Sequence, residues 1–310
     1  MARRIRYERL ATERANRAAR ALDRLSARQI AALMNREDRR AVAAVGRVRR
    51  EIATAVELIV AAFRRGGRLV FVGAGTSGRL GVLEAAECPP TFGTPPGMVQ
   101  AIMAGGRGAV FRSREGAEDD AMAAKRAVSA RVRRGDAVVG VSASGVTTFV
   151  RAALTEARRR GAKTVLVTCN PATRRGAGPR LLIALAPGSE VLAGSTRLKA
   201  GTATKLVLNT LTTAAMARLG RVYGNRMVDL QPRSAKLRAR AARVIQEIAG
   251  VSRARARNAL AASGGRVRRA IVMATRGLGA GEAARELRVA GGSLRAALGE
   301  SGARQRARRK

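Results

Sequence analysis

The chain has 310 residues, 46% of them hydrophobic, and a formal net charge of +40 from 61 Lys and Arg against 21 Asp and Glu. That length holds one sizeable α/β domain and a smaller appendage. No histidine occurs anywhere, which excludes Ser-His-Asp and Cys-His nucleophilic machinery, His-ligated zinc and a histidine general base.

In chain order, the Ala- and Arg-rich first 50 residues are predicted to be helical. A helix through EIATAVELIVAAFRR follows, with Ile52, Val56, Ile59, Val60 and Phe63 on one face, and Gly66-Gly67 stop it. RLVFVG is the first of five short apolar runs, followed by MVQAIMA, DAVVGVSA, KTVLVTC and LLIALA. Helical stretches at GAEDDAMAAKRAV, TTFVRAALTEARRR and TATKLVLNTLTTAAMARL separate or follow them. Strands alternating with helices predict an α/β fold, a doubly wound parallel sheet that binds ligands beyond the carboxyl ends of its strands. After Pro232 the chain turns all-helical. Leu260, Gly264, Gly265, Val267, Arg268 and Ala270 are echoed 27 residues on by Leu287, Gly291, Gly292, Leu294, Arg295 and Ala297. Each copy reads as two short helices about a Gly-Gly turn. The predicted boundaries are an N-terminal helical segment over 1–50, the α/β domain over 51–232, a helical domain over 233–300, and a disordered basic tail over 301–310.

No apolar run approaches the roughly 18 residues of a membrane span. The basic N-terminus lacks the apolar stretch of a secretory signal, so a cytoplasmic protein with no membrane partner is expected. Cys88 and Cys169 have no disulfide or metal spacing and are expected to be buried at element ends. Aromatic residues are 2% of the chain, which leaves little for base stacking. The arginines spread over nearly every helix read as solvated faces, and no specific nucleic-acid partner is expected.

Three loops carry candidate chemistry. Gly73-Ala74-Gly75-Thr76-Ser77-Gly78-Arg79 has the G-x-G-x-x-G spacing of a dinucleotide loop. The second strand, however, ends in glycines, where such a site wants a ribose-binding acid. Thr76 and Ser77 suit a phosphate or sugar at a helix N-terminus instead. Ser142, Ser144 and Thr147 line a second hydroxyl loop before a helix, readable as a phosphate cradle or as ordinary caps. The third loop runs from Glu190 through Ser195 and Thr196 to Lys199, with Arg197 and Lys199 as possible anion partners. Without histidine, proton transfer falls to other groups. Glu87 is expected to end a helix that Pro89 and Pro90 stop. Glu118 heads the helix after the second strand, and its spacing alone also fits a first-turn acid like Asp119 and Asp120.

GAGTSGRLGVLEAAECPPTFG, EGAED, SASGVT and GSTRLKAGTATKLVLNTLTT closely resemble the N-acetylmuramic acid 6-phosphate etherases, over nearly the whole chain. The resemblance implies a sugar isomerase (SIS) fold with a small ubiquitin-associated-like C-terminal domain. It also implies elimination of D-lactate from the C3 ether and hydration to N-acetylglucosamine 6-phosphate, without metal or cofactor. Glu87 falls on the family's proton donor and Glu118 on its second acid. Ser142, Ser144 and Thr147 take the phosphate positions, and the family works as a homodimer. Val146 and Thr148 stand where the family often has Arg and Pro. Three alternatives remain at this point: a noncatalytic SIS phosphosugar sensor, an aldose–ketose isomerase using Glu190 as base, and a nucleic-acid binder.

Overall fold

All five apolar runs form strands, and they pair in parallel in the order β2-β1-β3-β4-β5. The computed structural model describes residue 10, residues 12–173 and residues 178–300; the expectation for the 301–310 tail lies outside them. The strands are β1 Leu69–Gly73, β2 Val99–Met103, β3 Ala137–Val141, β4 Lys163–Thr168 and β5 Leu181–Ala184. β1 and β3 are buried at every residue, which is why they read as unbroken apolar runs instead of alternating ones. The described residues form two compact units, one within 1–86 and 96–213 and the other within 87–95 and 214–310. No described helix is long and apolar enough to cross a membrane.

The first unit holds the sheet and its helices: α1 Ala27–Arg47, α2 Arg49–Arg64, most of α3 Gly75–Phe92, α4 Gly108–Phe111, α5 Ala121–Arg131, α6 Thr148–Arg159, and the start of α7 Lys199–Arg218. Ser26 and Gln29 close a reciprocal capping box at the start of α1. One core cluster joins Val70, Val72, Ile102 and Val138 to Phe149, Val150 and Leu154 of α6. Each such side chain contributes roughly 1.5–3 kcal/mol through burial. Glycines let helix and sheet approach: a Cβ on Gly140 would lie 2.8 Å from both Val150 Cγ1 and Leu154 Cδ1, and one on Gly81 would lie 2.8 Å from Phe71 Cβ.

At the amino edge of the sheet, fully buried Asp136 accepts from the backbone N–H groups of Arg68 (2.9 Å) and Arg133 (3.0 Å) and pairs with the Arg68 guanidinium at 2.7 Å. This clamp joins the entries to β1 and β3. The carboxyl edge therefore carries no share of it, and its loops can differ in chemistry. On α6, Glu156 accepts from Ser129 of α5 at 2.9 Å and from Arg159 at 2.7 and 2.8 Å. The Arg159 guanidinium holds the Glu156 carboxyl down at about 2.

One expectation fails at α3. Pro89 and Pro90 sit inside this helix, which runs on to Phe92. The Gly93 N–H donates to the Pro89 carbonyl at 3.0 Å, and Gly93 itself, at φ +58°, leaves the helix. Proline's fixed φ is already helical, so the cost is the two missing N–H donors and the ring crowding. Burial of Cys88 and Phe92 (1% and 6% exposed) holds the last turn regardless. Cys88 thus lies within a helix, whereas Cys169 sits just past β4 as expected.

The second unit contains a short antiparallel pair, β6 Val222–Tyr223 with β7 Arg226–Met227, absent from the sequence reading. The helices α8 Ala235–Ala249, α9 Arg253–Ala262, α10 Val267–Arg276, α11 Ala280–Val289 and α12 Leu294–Ala297 follow. The repeat is real: α9–α10 and α11–α12 each turn about a Gly-Gly pair, and Leu260, Val267, Ile271, Ala283 and Leu294 share one core.

Two measurements check this packing. Gly73→Ala is expected to lower stability by about 1–3 kcal/mol in urea denaturation, because its Cβ would lie 2.6 Å from the Gly78 backbone nitrogen. Glu156 is depressed from 4.5 to about 2, so its contribution is complete above the ordinary value and disappears as pH falls toward the folded one. Glu156→Gln is therefore expected to be less stable than the parent at neutral pH, with the gap closing on acidification.

Candidate active site

β1 lies between β2 and β3, so the winding of the sheet reverses at its carboxyl end. In open parallel sheets that reversal makes the ligand crevice. Gly73 and Val141 are register partners there, so the first two hydroxyl loops leave the sheet side by side.

The first loop is set by close backbone packing. A Cβ on Gly78 would lie 2.7 Å from the Gly73 carbonyl oxygen and 3.0 Å from Met103 Cγ. Gly75 adopts φ +51°, a conformation costly for other residues. α3 thereby begins directly over the strand, with Thr76 and Ser77 half-buried in its first turn. Arg79 donates from Nε to the Val110 carbonyl (2.8 Å) and from Nη2 to that of Ala109 (3.0 Å), tying down the segment after β2.

In the second loop the three expected hydroxyls converge. Ser142 Oγ lies 2.8 Å from Thr147 Oγ1 and 3.4 Å from Ser144 Oγ. The Gly145 N–H donates to Ser142 Oγ at 3.0 Å, and the Val146 N–H to Ser144 Oγ at 3.3 Å. Thr147 is the N-cap of α6 but makes no side-chain cap bond. Ser26, Ser234, Ser252 and Ser293 all do cap their helices. The second loop therefore departs from ordinary capping, and the N–H groups of the first turn of α6 keep their capacity for an anion.

Sequence reasoning missed what holds this loop. Asn170 Nδ2 donates to the Ser144 carbonyl (3.0 Å), Thr168 Oγ1 to that of Ala143 (3.2 Å) and Arg151 Nε to that of Gly145 (2.8 Å). Thr168 and Asn170 stand at the carboxyl end of β4, the position that was their available signal. A Cβ on Gly145, at φ +75°, would lie 2.8 Å from Thr168 Oγ1.

The third loop divides its residues. Ser195 and Thr196 are half-buried just before α7, and a Cβ on Gly201 in its first turn would lie 3.7 Å from Thr76 Cγ2, so the starts of α3 and α7 adjoin. Glu190 is buried, and its two oxygens accept the backbone N–H groups of Lys199 (3.0 Å) and Ala200 (2.9 Å). Burial pushes its carboxyl above the usual range despite those bonds. Lys199 is sealed as well: its Nζ meets Glu37 Oε2 at 2.5 Å, with Lys199 and Glu37 side chains 1% and 3% exposed. Asn16 Nδ2 donates to the same Glu37 oxygen at 2.7 Å and to the Ser189 carbonyl at 3.1 Å. Burial opposes the Glu37 charge, but the Lys199 and Asn16 bonds prevail and hold its carboxyl below the usual range. Glu190 and Lys199 thus shape the loop, while Ser195 and Thr196 remain at its surface.

Glu118 lies in a 3-10 turn, Ala117–Asp119, ahead of α5, and Asp120 takes the capping role by accepting from the Ala123 N–H at 2.7 Å. Glu118 is exposed and lines a cavity of about 90 Å³ with Ala74, Gly75, Arg79 and Ser113. It therefore shares one crevice with the first loop. Glu87 is exposed on α3 and belongs to the second unit. Burial pushes the Cys169 thiol up to about 12, so it offers no nucleophile at neutral pH. Among the described residues no group of three or more His, Cys, Asp or Glu could hold a metal ion.

Residues 117–214 match the SIS domain, and residues 51–158 match the glucokinase regulatory protein N-terminal SIS domain. The N-acetylmuramic acid 6-phosphate etherase of Picosynechococcus sp. (strain ATCC 27264 / PCC 7002 / PR-6) is 48% identical over 93% of this chain and 96% of its own length. That of Geobacillus thermodenitrificans (strain NG80-2) is 49% identical over 94% of this chain and 99% of its own. The chain belongs to the N-acetylmuramic acid 6-phosphate etherase family. A further etherase, from Mycolicibacterium smegmatis, is 48% identical over 94% of this chain and 98% of its own. Among solved structures, a phosphoheptose isomerase from Francisella tularensis is similar with a TM-score of 0.48 and 17% identity, over 64% of this chain and 98% of that one.

In this etherase-family chain, Lys199→Met strands the Glu37 carboxylate in the interior. Removing one partner of a buried pair costs about 3–5 kcal/mol, and urea denaturation is expected to show a loss of that size. Adding Glu37→Gln, which removes the stranded charge, is expected to restore most of it.

Proposed function

We propose that the chain is a carbon–oxygen lyase that cleaves the D-lactyl ether of N-acetylmuramic acid 6-phosphate, giving D-lactate and N-acetylglucosamine 6-phosphate. The observation carrying this reading is near-full-length identity of 48–49% to curated etherases. The hydroxyl loops at the switch point support it, since they suit a phosphorylated sugar.

In this reading Ser142, Ser144 and Thr147 hold the phosphate with the first-turn N–H groups of α6. Thr76, Ser77, Ser195 and Thr196 contact the sugar, and Glu190 and Lys199 support the third loop from behind. In the open-chain sugar the lactyl oxygen leaves from the carbon β to the aldehyde. One carboxylate removes the acidified C2 proton, and one carboxylic acid protonates the departing ether oxygen as the C3–O bond breaks. Water then adds at C3 of the unsaturated aldehyde. Glu87 and Glu118 are the pair, and two carboxyl groups in different environments can hold opposite protonation states at one pH. Residues 51–232 form the sugar-phosphate domain and 233–300 the ubiquitin-associated-like one. The enzyme works in the cytoplasm as a homodimer, without metal or cofactor, in peptidoglycan recycling.

The test is D-lactate release from N-acetylmuramic acid 6-phosphate. The parent is expected to release it, and Glu87→Gln and Glu118→Gln to lose about 10²–10⁴-fold in rate, the usual worth of a general acid or base. Phosphosugar binding without lactate from the parent would favour the noncatalytic sensor.

A further inference from the structure

We propose that the second unit carries an anion site of its own, in the groove between its two Gly-Gly turns, for a phosphate-bearing ligand. The inference is independent of the etherase reading. A cavity of about 1260 Å³ is lined by both turns, Gly264-Gly265 and Gly291-Gly292. The repeat thus brings its two equivalent corners to one concavity, and all four glycines have positive φ, between 60° and 81°.

The charge in this groove is unbalanced. Its lining includes Arg233, Arg266, Arg268, Arg269 and Arg288 but only one acid, Asp229. That acid is already used: Asp229 Oδ1 meets Arg268 Nε at 2.5 Å, and its Oδ2 lies 3.4 Å from Arg221 Nη1. Arg268 also donates to the Gly292 carbonyl at 2.5 Å, so its guanidinium joins the two corners. Among the described residues no acid pairs with Arg233, Arg266, Arg269 or Arg288. Four cations sharing one concavity repel one another, and a dianion placed among them removes that repulsion. Guanidinium groups suit phosphate oxygens in particular, because the planar fork binds two at once. Leu230, Pro232 and Leu287 add an apolar wall, which suits an organic phosphate ester.

The local backbone agrees with the cation cluster. α8, α9 and α12 begin with serines that cap them. α10 begins at Val267 after Arg266, an N-cap that makes no side-chain cap bond, and both residues line the groove.

The experiment is amide hydrogen exchange on the full chain, with and without inorganic pyrophosphate or N-acetylglucosamine 6-phosphate, at about 0.15 M salt. Exchange reports the location, so binding at the loops of the first unit is read separately. Either anion is expected to protect amides over 264–269 and 291–293. Arg266→Ala/Arg269→Ala is expected to weaken that protection about tenfold or more, equivalent to about 1.4 kcal/mol or more. Arg253→Ala/Arg257→Ala removes the same charge from α9 outside the cavity and is expected to leave the protection within about twofold, well short of tenfold. Arg288→Gln supplies a milder variant should the first pair fail to fold. No protection over these residues with either anion, or equal loss in the cavity and α9 variants, would overturn the proposal.

Discussion

Gly73 ends β1 and Gly78 lies in the first turn of α3, and the backbones there stand so close that neither position has room for a methyl group. Much of the first unit's chemistry depends on this approach. It starts α3 directly above the strand, which puts Thr76 and Ser77 at the sheet's carboxyl edge. Gly73 is also the register partner of Val141, so the hydroxyl loop after β3 emerges beside the one after β1. A single side-chain carbon at either glycine would press the start of α3 away from the end of β1 and move Thr76 and Ser77 with it.

Several buried polar groups lie at the two edges of the sheet. Asp136 clamps the amino ends of β1 and β3, far from the loops. At the carboxyl edge, Asn170, Thr168 and Arg151 hold backbone carbonyls of the second loop, while the Ser142 and Ser144 hydroxyls accept loop N–H groups and cluster with that of Thr147. Behind the third loop, the Glu37–Lys199 pair and Asn16 join α1, the N-terminal segment and the start of α7. Such a buried pair is weak as a source of stability but strict about geometry, because either partner alone would be stranded. Preorganised loops of this kind favour catalysis, since less of the binding energy is spent on ordering them.

Much of this was legible in the sequence, for physical reasons. Strands buried on both faces must be continuously apolar, so β1, β3 and β4 announced themselves. Glycine-rich turns between strand and helix marked the loops, and the 27-residue echo marked the helical unit. Contacts distant in sequence were not legible. Lys199 looks like an anion ligand until Glu37, 162 residues away, appears beside it. Asn170 and Arg151 hold carbonyl groups, which leave no signature in residue type. Pro89 and Pro90 are local breakers by rule, yet the burial of Cys88 and Phe92 outweighs them. The β6–β7 pair is only two residues per strand, too short to show a period.

The reaction proposed for the chain is elimination and rehydration, and not hydrolysis at the lactyl carbon. The most direct measurement is turnover of N-acetylmuramic acid 6-phosphate in ¹⁸O-labelled water, with mass analysis of both products. Elimination and rehydration put the heavy oxygen at C3 of N-acetylglucosamine 6-phosphate, with D-lactate keeping its original ether oxygen. Heavy oxygen at the lactate hydroxyl, with none at C3, would contradict it.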